Sequence, residues 1–280
     1  MDRKKVLIFI LFTALFLLWH APAVSSDNPG SLTDEEFESL NKPFTGDLDE
    51  MVKKRLIRVL MPYSMPFYFF DGARPAGVSY EAVQAFEKAL NEKLNTKHLK
   101  VHVIVVPTGR ENLFPHLESG RGDIAIGNLT ITPERLKMVD FCDPVYKGVE
   151  EILLTGKKHG DIGSVQELSG KEVHVRVSSS YHESLKELNK GLKKKVKIVA
   201  ADENLEDEDL IEMVNAGLIP CIVIDSHKAA FWVQVFDNIK LHPEVKLRTG
   251  GEIAWAIRKN TPKLKKEINT FVKTHKAGTL

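Results

Sequence analysis

The chain is 280 residues long, 43% hydrophobic and 28% charged, with a formal net charge of +1 at pH 7. That length suits one or two domains and the apolar fraction fills an ordinary core, while the near balance of signs argues against nucleic acid as a partner. The two cysteines, Cys142 and Cys221, fall in different lobes of the pattern below, so partly buried thiols acting as small hydrophobes are expected rather than a bridge.

Arg3, Lys4 and Lys5 precede an apolar run over residues 6–19, and Ala21-Pro22-Ala23 supplies a small-residue cleavage site. The run is shorter than the roughly 20 residues of a spanning helix, so residues 1–23 are expected to be a signal peptide and the mature protein to be periplasmic or otherwise extracytoplasmic. Residues 24–49 are polar, punctuated by Pro29-Gly30, Pro43 and Gly46, and read as a linker. A strand follows over 56–61. Tyr80, Val83, Phe86, Leu90 and Leu94 recur at helical spacing and predict an amphipathic helix over 78–94. Strands over 99–106 and 123–129, with a helix over 111–118 between them, complete a βαβαβ unit. Thr132 and Pro133 then provide an N-cap and a first helical position, which puts Arg135 in the first turn.

A second unit begins after Pro144, with strands over 151–155, 172–177, 195–201 and 219–225. Its helices are opened by Ser178-Ser179-Ser180 or placed over 206–215 and 228–236. A last strand over 252–257 precedes a helix started by Thr261 and Pro262 and running to about residue 275. The fold class is therefore α/β, with two doubly wound lobes. Ligands of such sheets bind beyond the carboxyl ends of strands and at domain interfaces.

Four loops meet that condition. Tyr63, Phe67, Tyr68, Phe69 and Phe70 crowd the first, where rings either cover the apolar part of a ligand or form core beneath the loop. The second, from Asn128 through Thr130 to Arg135, leads a hydroxyl-rich turn into a helix, and a guanidinium there can hold both oxygens of a carboxylate. The plainer alternative is that Thr132 caps and Arg135 is solvated. Ser180 offers a donor from the other lobe, although capping alone explains one serine. Asp225 ends the apolar strand Ile222-Val223-Ile224 and either pairs with a ligand ammonium or caps the next helix. His98 and His102 form no metal constellation, and no cofactor or metal is expected. Lys193-Lys194-Lys195 and the acidic stretch over 202–209 read as solvated surface.

The run Gly122-Asp123-Ile124-Ala125-Ile126-Gly127-Asn128-Leu129-Thr130-Ile131-Thr132-Pro133-Glu134-Arg135, followed by Val139-Asp140-Phe141-Cys142-Asp143-Pro144-Val145-Tyr146, resembles the family 3 extracellular solute-binding proteins over about residues 55–275. The resemblance implies a type II periplasmic-binding-protein-like fold, with lobe 1 over 50–145 and 253–280 and lobe 2 over 149–248, joined by two hinge crossings. It also implies that Arg135 and Thr130 hold a ligand carboxylate, that Asp225 takes the ammonium, and that Ser180 is a main-chain donor. Asn128 stands where many members have Gly or Ala, and Cys142 where serine is common. Ile57-Arg58-Val59-Leu60, Gly77-Val78-Ser79-Tyr80-Glu81 and the ending Lys276-Ala277-Gly278-Thr279-Leu280 further resemble the binding-protein-like N-terminal module of the membrane-bound lytic murein transglycosylase F family, where a cell-wall-cleaving domain follows.

The expected function is an exported solute-binding protein that closes on a small carboxylate-bearing ligand, an amino acid or short peptide. The partners implied are an ABC importer permease or, for a regulatory sensing module of a lytic transglycosylase, peptidoglycan; a monomer is expected. A small enzyme on the same fold, such as a dehydratase, needs a general acid or base in the cleft, and none is assigned. Glu118-Ser119-Gly120 is similar to the catalytic glutamate motif of lytic transglycosylases but falls in the turn before Gly122-Asp123, so it is read as structural.

Overall fold

The computed structural model describes residues 40, 42–96 and 99–275. The expected signal, most of the linker, His98 and residues 276–280 lie outside them. In the first lobe, strand β1 (Leu56–Met61) is buried along its whole length, as a central strand flanked on both faces must be. It runs parallel to β4 (His102–Pro107) on one side and to β5 (Ile124–Ala125) on the other. Helix α2 (Val78–Leu94) lays Val83, Phe86 and Leu90 onto this sheet, and Phe86 meets Trp255 and Phe271 edge-on. A short hairpin, β2 (Phe69–Asp71) with β3 (Arg74–Ala76), precedes that helix. Helix α3 (Leu113–Glu118) follows a 3₁₀ turn, and Glu118 ends it exposed to solvent.

Residues 42–49 are not linker. Helix α1 (Leu48–Lys54) starts with a capping box between Asp47 and Glu50, and Asp47 also accepts the N–H groups of Lys263 and Leu264, each at 2.9 Å. The segment has no hydrophobic period because only Phe44 and Leu48 pack on the core and the rest of its contacts are polar. Its Lys42 carbonyl, and that of Leu40 just before it, accept from Arg58, which is buried in the middle of β1 and ion-paired with Asp123.

Helix α4 (Pro133–Met138) and strand β6 (Asp140–Phe141) lead into the second lobe. There the sheet order is β11-β7-β10-β8-β9, using β7 (Tyr146–Gly156), β8 (Glu172–Val175), β9 (Lys197–Ala200), β10 (Cys221–Asp225) and β11 (Ile239–Ile253). Helices α5 (Ser180–Gly191), α6 (Asp207–Asn215) and α7 (Ser226–Trp232) connect them. This sheet is mixed rather than parallel, since β7 runs antiparallel to both β10 and β11. Strand β11 has no counterpart in the periodicity of the sequence. It is an edge strand with several register shifts along β7, which is where a sheet tolerates Pro243 and an irregular in–out pattern. Cys142 and Cys221 are both buried free thiols, one in the core of each lobe, and burial pushes each up to about 12.

Strand β12 (Ala256–Ile257) returns to the first sheet between β5 and β6, giving the order β4-β1-β5-β12-β6, and helix α8 (Pro262–Thr274) closes that lobe. The chain thus passes between lobes twice, along β7 and β11, which pair near the crossing at Tyr146 with Ile253 and Lys147 with Glu252. Gly148 and Gly250 there have φ of +76° and +68°, a region that glycine enters without steric cost. A paired two-strand crossing with left-handed glycines on both strands permits hinge bending while the lobes stay intact.

Candidate functional site

The lobes meet over the carboxyl ends of their strands. Arg135, in the six-residue helix α4, is buried and aimed across the cleft. Thr132 caps this helix by accepting the Arg135 N–H at 3.2 Å, so the capping alternative holds for the threonine, but the arginine is not solvated. Its Nη1 donates to the Thr130 carbonyl at 2.9 Å and its Nη2 to the Ser178 carbonyl of the other lobe at 3.1 Å. Glu183 lies 3.8 Å from Nε. A guanidinium has five N–H groups, and these contacts leave one on each Nη for a further acceptor among the described residues. Phe114 stands 5.4 Å from the guanidinium.

Asp225 occupies the N-cap position of α7, yet its side chain makes no cap bond among the described residues and its Oδ1 is buried without a partner there. The capping alternative therefore fails for this residue. Burial pushes the carboxyl up to about 7, Lys228 opposing that rise and Asp207 and Glu151 adding to it. Tyr181 stands between the acids, its hydroxyl accepting the Asp225 N–H at 3.2 Å and lying 3.3 Å from Asp207 Oδ2.

Asp207 is the node of the second lobe's side. It accepts from Lys228 Nζ at 2.6 Å and from Arg176 Nη2, both buried, and Arg110 lies close enough to act on its charge. Burial alone raises its carboxyl, but Lys228, Arg176 and Arg110 together hold it well below the usual carboxylate range. Arg110 reaches across from the loop after β4, with Nε 2.7 and 2.9 Å from the two oxygens of Glu206 and Nη1 2.6 Å from the Gly127 carbonyl. The acidic stretch over 202–209 is thus not all solvated surface: Glu206 and Asp207 turn inward because three cations face them.

Of the expected residues, Asn128, Arg135, Ser180 and Asp225 line one cavity, together with Arg110, Phe114, Arg176, Tyr181, Asp207 and Lys228. Its volume is ≈ 30 Å³, room for a water or two at the roughly 10–15 Å³ each requires, so the lobes are drawn together over it. Asn128 adopts φ +56°, which explains an asparagine where small residues are common, and its Nδ2 donates to His227 Nε2 across the cleft at 3.3 Å. Burial, then Lys228, pushes His227 down to about 4, which suits that acceptor role. Ser180 opens α5, where its N–H has no acceptor within the helix, while Ser179 supplies the cap. Thr130 is buried and acts on Arg135 through its carbonyl rather than lining the cavity. Tyr63 does not join the site; it is 54% exposed and lines a separate cross-lobe groove with Trp232 and Phe236. Phe67 lies outside the cavity lining as well, with Lys228 Nζ 5.8 Å from its ring.

Arg110, Arg176, Asp207 and Lys228 are the residues that sequence reasoning missed. Arg110 and Arg176 each follow a strand by one to three positions, the same signal that singled out Asp225. Among the described residues no three His, Cys, Asp or Glu side chains converge as metal ligands, and no helix is long and apolar enough to cross a membrane.

Two α/β lobes, a paired double crossing and a buried charged cavity between strand ends define a ligand-binding protein of the hinged, two-lobed class. The chain belongs to the bacterial extracellular solute-binding proteins, family 3, whose model matches residues 57–280. It is 30% identical over 220 residues to the membrane-bound lytic murein transglycosylase F of Desulfosudis oleivorans, covering 77% of this chain and 44% of that protein. It is 33% identical over 159 residues to the glutamate/aspartate import solute-binding protein of Salmonella typhimurium, covering 56% of this chain and 51% of the other. The chain therefore spans about half the length of these relatives. Among solved structures, the ancestral amino acid-binding protein AncCDT-1, a precursor of cyclohexadienyl dehydratase, aligns with a TM-score of 0.67 at 29% identity, covering 83% of this chain and 94% of that one.

Proposed function

We propose that this chain is an exported binding protein or module whose closed cleft holds a free amino acid or a small relative of one, with no chemistry of its own. The observation that carries the reading is the meeting, in one cavity, of the open N–H groups of Arg135 and the unpartnered carboxylate oxygen of Asp225. The first takes an α-carboxylate and the second an α-ammonium, and Ser180 adds a main-chain N–H on the carboxylate side. The relatives named for amino-acid binding support that class of ligand.

The test is thermal-shift screening of the purified chain against the common L-amino acids, followed by calorimetry on those that bind. Arg135→Ala is expected to weaken binding by roughly a hundredfold or more. It should leave the fold intact, because the groups it abandons are two carbonyls and a carboxylate no closer than 3.8 Å, all at the cleft between the lobes. Unchanged affinity in a folded variant removes Arg135 from the site.

A second reading, a sensing module for a peptidoglycan-cleaving enzyme, draws on the murein transglycosylase relatives, one of which matches across 99% of this chain but only 51% of its own length. Both readings place the ligand in the same cleft. This chain alone should release no muropeptides from murein sacculi, since Glu118 is an exposed helix end rather than an acid in a groove.

A further inference from the structure

The charge around Asp207 does not close. Arg110, Arg176 and Lys228 surround it, and among the described residues the one carboxylate bonded to this trio apart from Asp207 is Glu206, on Arg110. A third carboxyl in the same cavity, Asp225, also feels Lys228 but is taken by the ligand ammonium in the reading above, so with ligand bound three buried cations face two carboxylates. Arg176 shows where the surplus points. Its Nη1 donates to the Leu205 carbonyl at 2.5 Å and its Nη2 to Asp207, but its Nε is buried without a partner among the described residues, on a side chain that lines the cavity. Lys228 lines the same cavity and uses Asp207 as its hydrogen-bond acceptor, so an ammonium with three N–H groups keeps donors in reserve. Arg135 is differently placed, since Glu183 and Glu151 offset Arg135 and Arg248 on the hinge side.

Resting on the amino-acid reading above, we infer that the ligand is an acidic amino acid, whose side-chain carboxylate docks on Arg176 with Lys228 beside it. The three open positions then receive three ligand groups: Asp225 the ammonium, Arg135 the α-carboxylate, and Arg176 the second carboxylate. A ligand with a neutral hydrocarbon side chain leaves the Arg176 Nε buried and unmet in the closed state, and one with a cationic side chain adds a fourth positive charge to the trio. An amide side chain offers an acceptor but no charge. At ≈ 30 Å³ the cavity has to widen for any of these ligands, and it widens less for acids of the size of aspartate and glutamate than for peptides.

Calorimetry with L-aspartate, L-glutamate, L-asparagine, L-glutamine, L-leucine and L-arginine tests this on the full chain. One of the acids is expected to bind, its amide about tenfold or more weakly, and leucine and arginine at least about a hundredfold more weakly. Arg176→Gln is expected to bring the acid-to-amide ratio close to one; if that variant fails to fold, the ratio in the parent protein decides. Leucine, glutamine or arginine binding as tightly as the acids, with that binding lost in Arg135→Ala, overturns the acidic subsite and leaves the amino-acid reading standing. No binding by any amino acid overturns both.

Discussion

Two clusters of buried charge in this protein are alike in burial and opposite in completeness. At the base of the first lobe, Arg58 and Asp123 are each 1% exposed. Arg58 reaches Asp123 through Nε at 3.1 Å and Nη2 at 3.0 Å, and its remaining N–H groups go to the carbonyls of Leu40, Lys42, Phe44 and Gly120. Asp123 also accepts the Arg58 N–H at 2.8 Å. Among the described residues the one open atom nearby is Nε of Arg258. In the cleft, Arg176 and Asp225 are as deeply buried, yet each holds back a polar atom toward the same cavity. Burial therefore does not mark a binding site; unspent hydrogen-bonding capacity does, because each unmet buried group costs about 1–3 kcal/mol until something meets it.

The largest effect should come from breaking the complete cluster. Asp123→Ala strands the Arg58 charge in the core, and removal of one partner of a buried pair typically costs about 3–5 kcal/mol. Urea unfolding should show a loss of that size. The fraction that folds should bind its amino acid as the parent does, since the partners of Asp123, Arg58 and Arg258, do not line the cleft cavity. A variant as stable as the parent would mean that the carbonyl groups alone satisfy Arg58.

The incomplete cluster should respond to pH instead. Burial holds the Asp225 carboxyl up to about 7 from an ordinary 3.8, so between those values the folded chain keeps a proton that the unfolded chain has released. Stability from this group is full below the ordinary value and falls as pH rises through about 7, by up to about 4 kcal/mol. Asp207, held down by its cations, acts only below its own ordinary value of 3.8 and stays out of this window. Asp225→Asn has no proton to exchange, so its urea midpoint should gain on the parent's between pH 5 and pH 8. Binding runs the other way: an ammonium needs the ionised form, so affinity should fall roughly fiftyfold from pH 7 to pH 5. A parent and variant with parallel pH profiles would place the Asp225 pKa near its ordinary value.

The base and the cleft also differ in how much of them a reader of the sequence can see. Helix α2 and the run ending at Arg135 are legible because Val83, Phe86 and Leu90 repeat with the helix and Thr132-Pro133 marks a start. Asp225 is legible because it ends a buried strand. Asp207 is not, since an acid among acids resembles solvated surface until Arg110 arrives from the other lobe. Residues 42–49 are hidden for a related reason: they pack through Phe44 and Leu48 and through backbone carbonyls, whose donor is distant in sequence and leaves no local period. Strand β11 is hidden by its bulges, which break the alternation that defines a strand. What local pattern encodes is visible, and what contacts distant in sequence encode is not.

The smallest expected effect separates the two clusters by motion. The base pair lies within one lobe and is the same whether the lobes are together or apart, whereas the cleft cluster of the second lobe gains Arg110 and Arg135 from the first only when the lobes are together. Glu208, in α6, ties the lobes at the rim by accepting the Met65 N–H at 2.6 Å and the Ser64 hydroxyl at 3.2 Å. Glu208→Gln keeps the size, removes the charge and leaves one good acceptor for two donors, a change worth about 1 kcal/mol and hence a roughly fivefold shift toward the open form. Solution scattering should show the variant with a larger radius of gyration than the parent, and saturating amino acid should bring the two together, because the ligand adds contacts that only the closed form makes. Asp123→Asn, altered only at the base, should not change the radius. A Glu208→Gln variant as compact as the parent without ligand would shift the closing contact to Arg110 and Glu206, inside the cleft cluster itself, and Arg110→Met would then be the substitution that opens the protein.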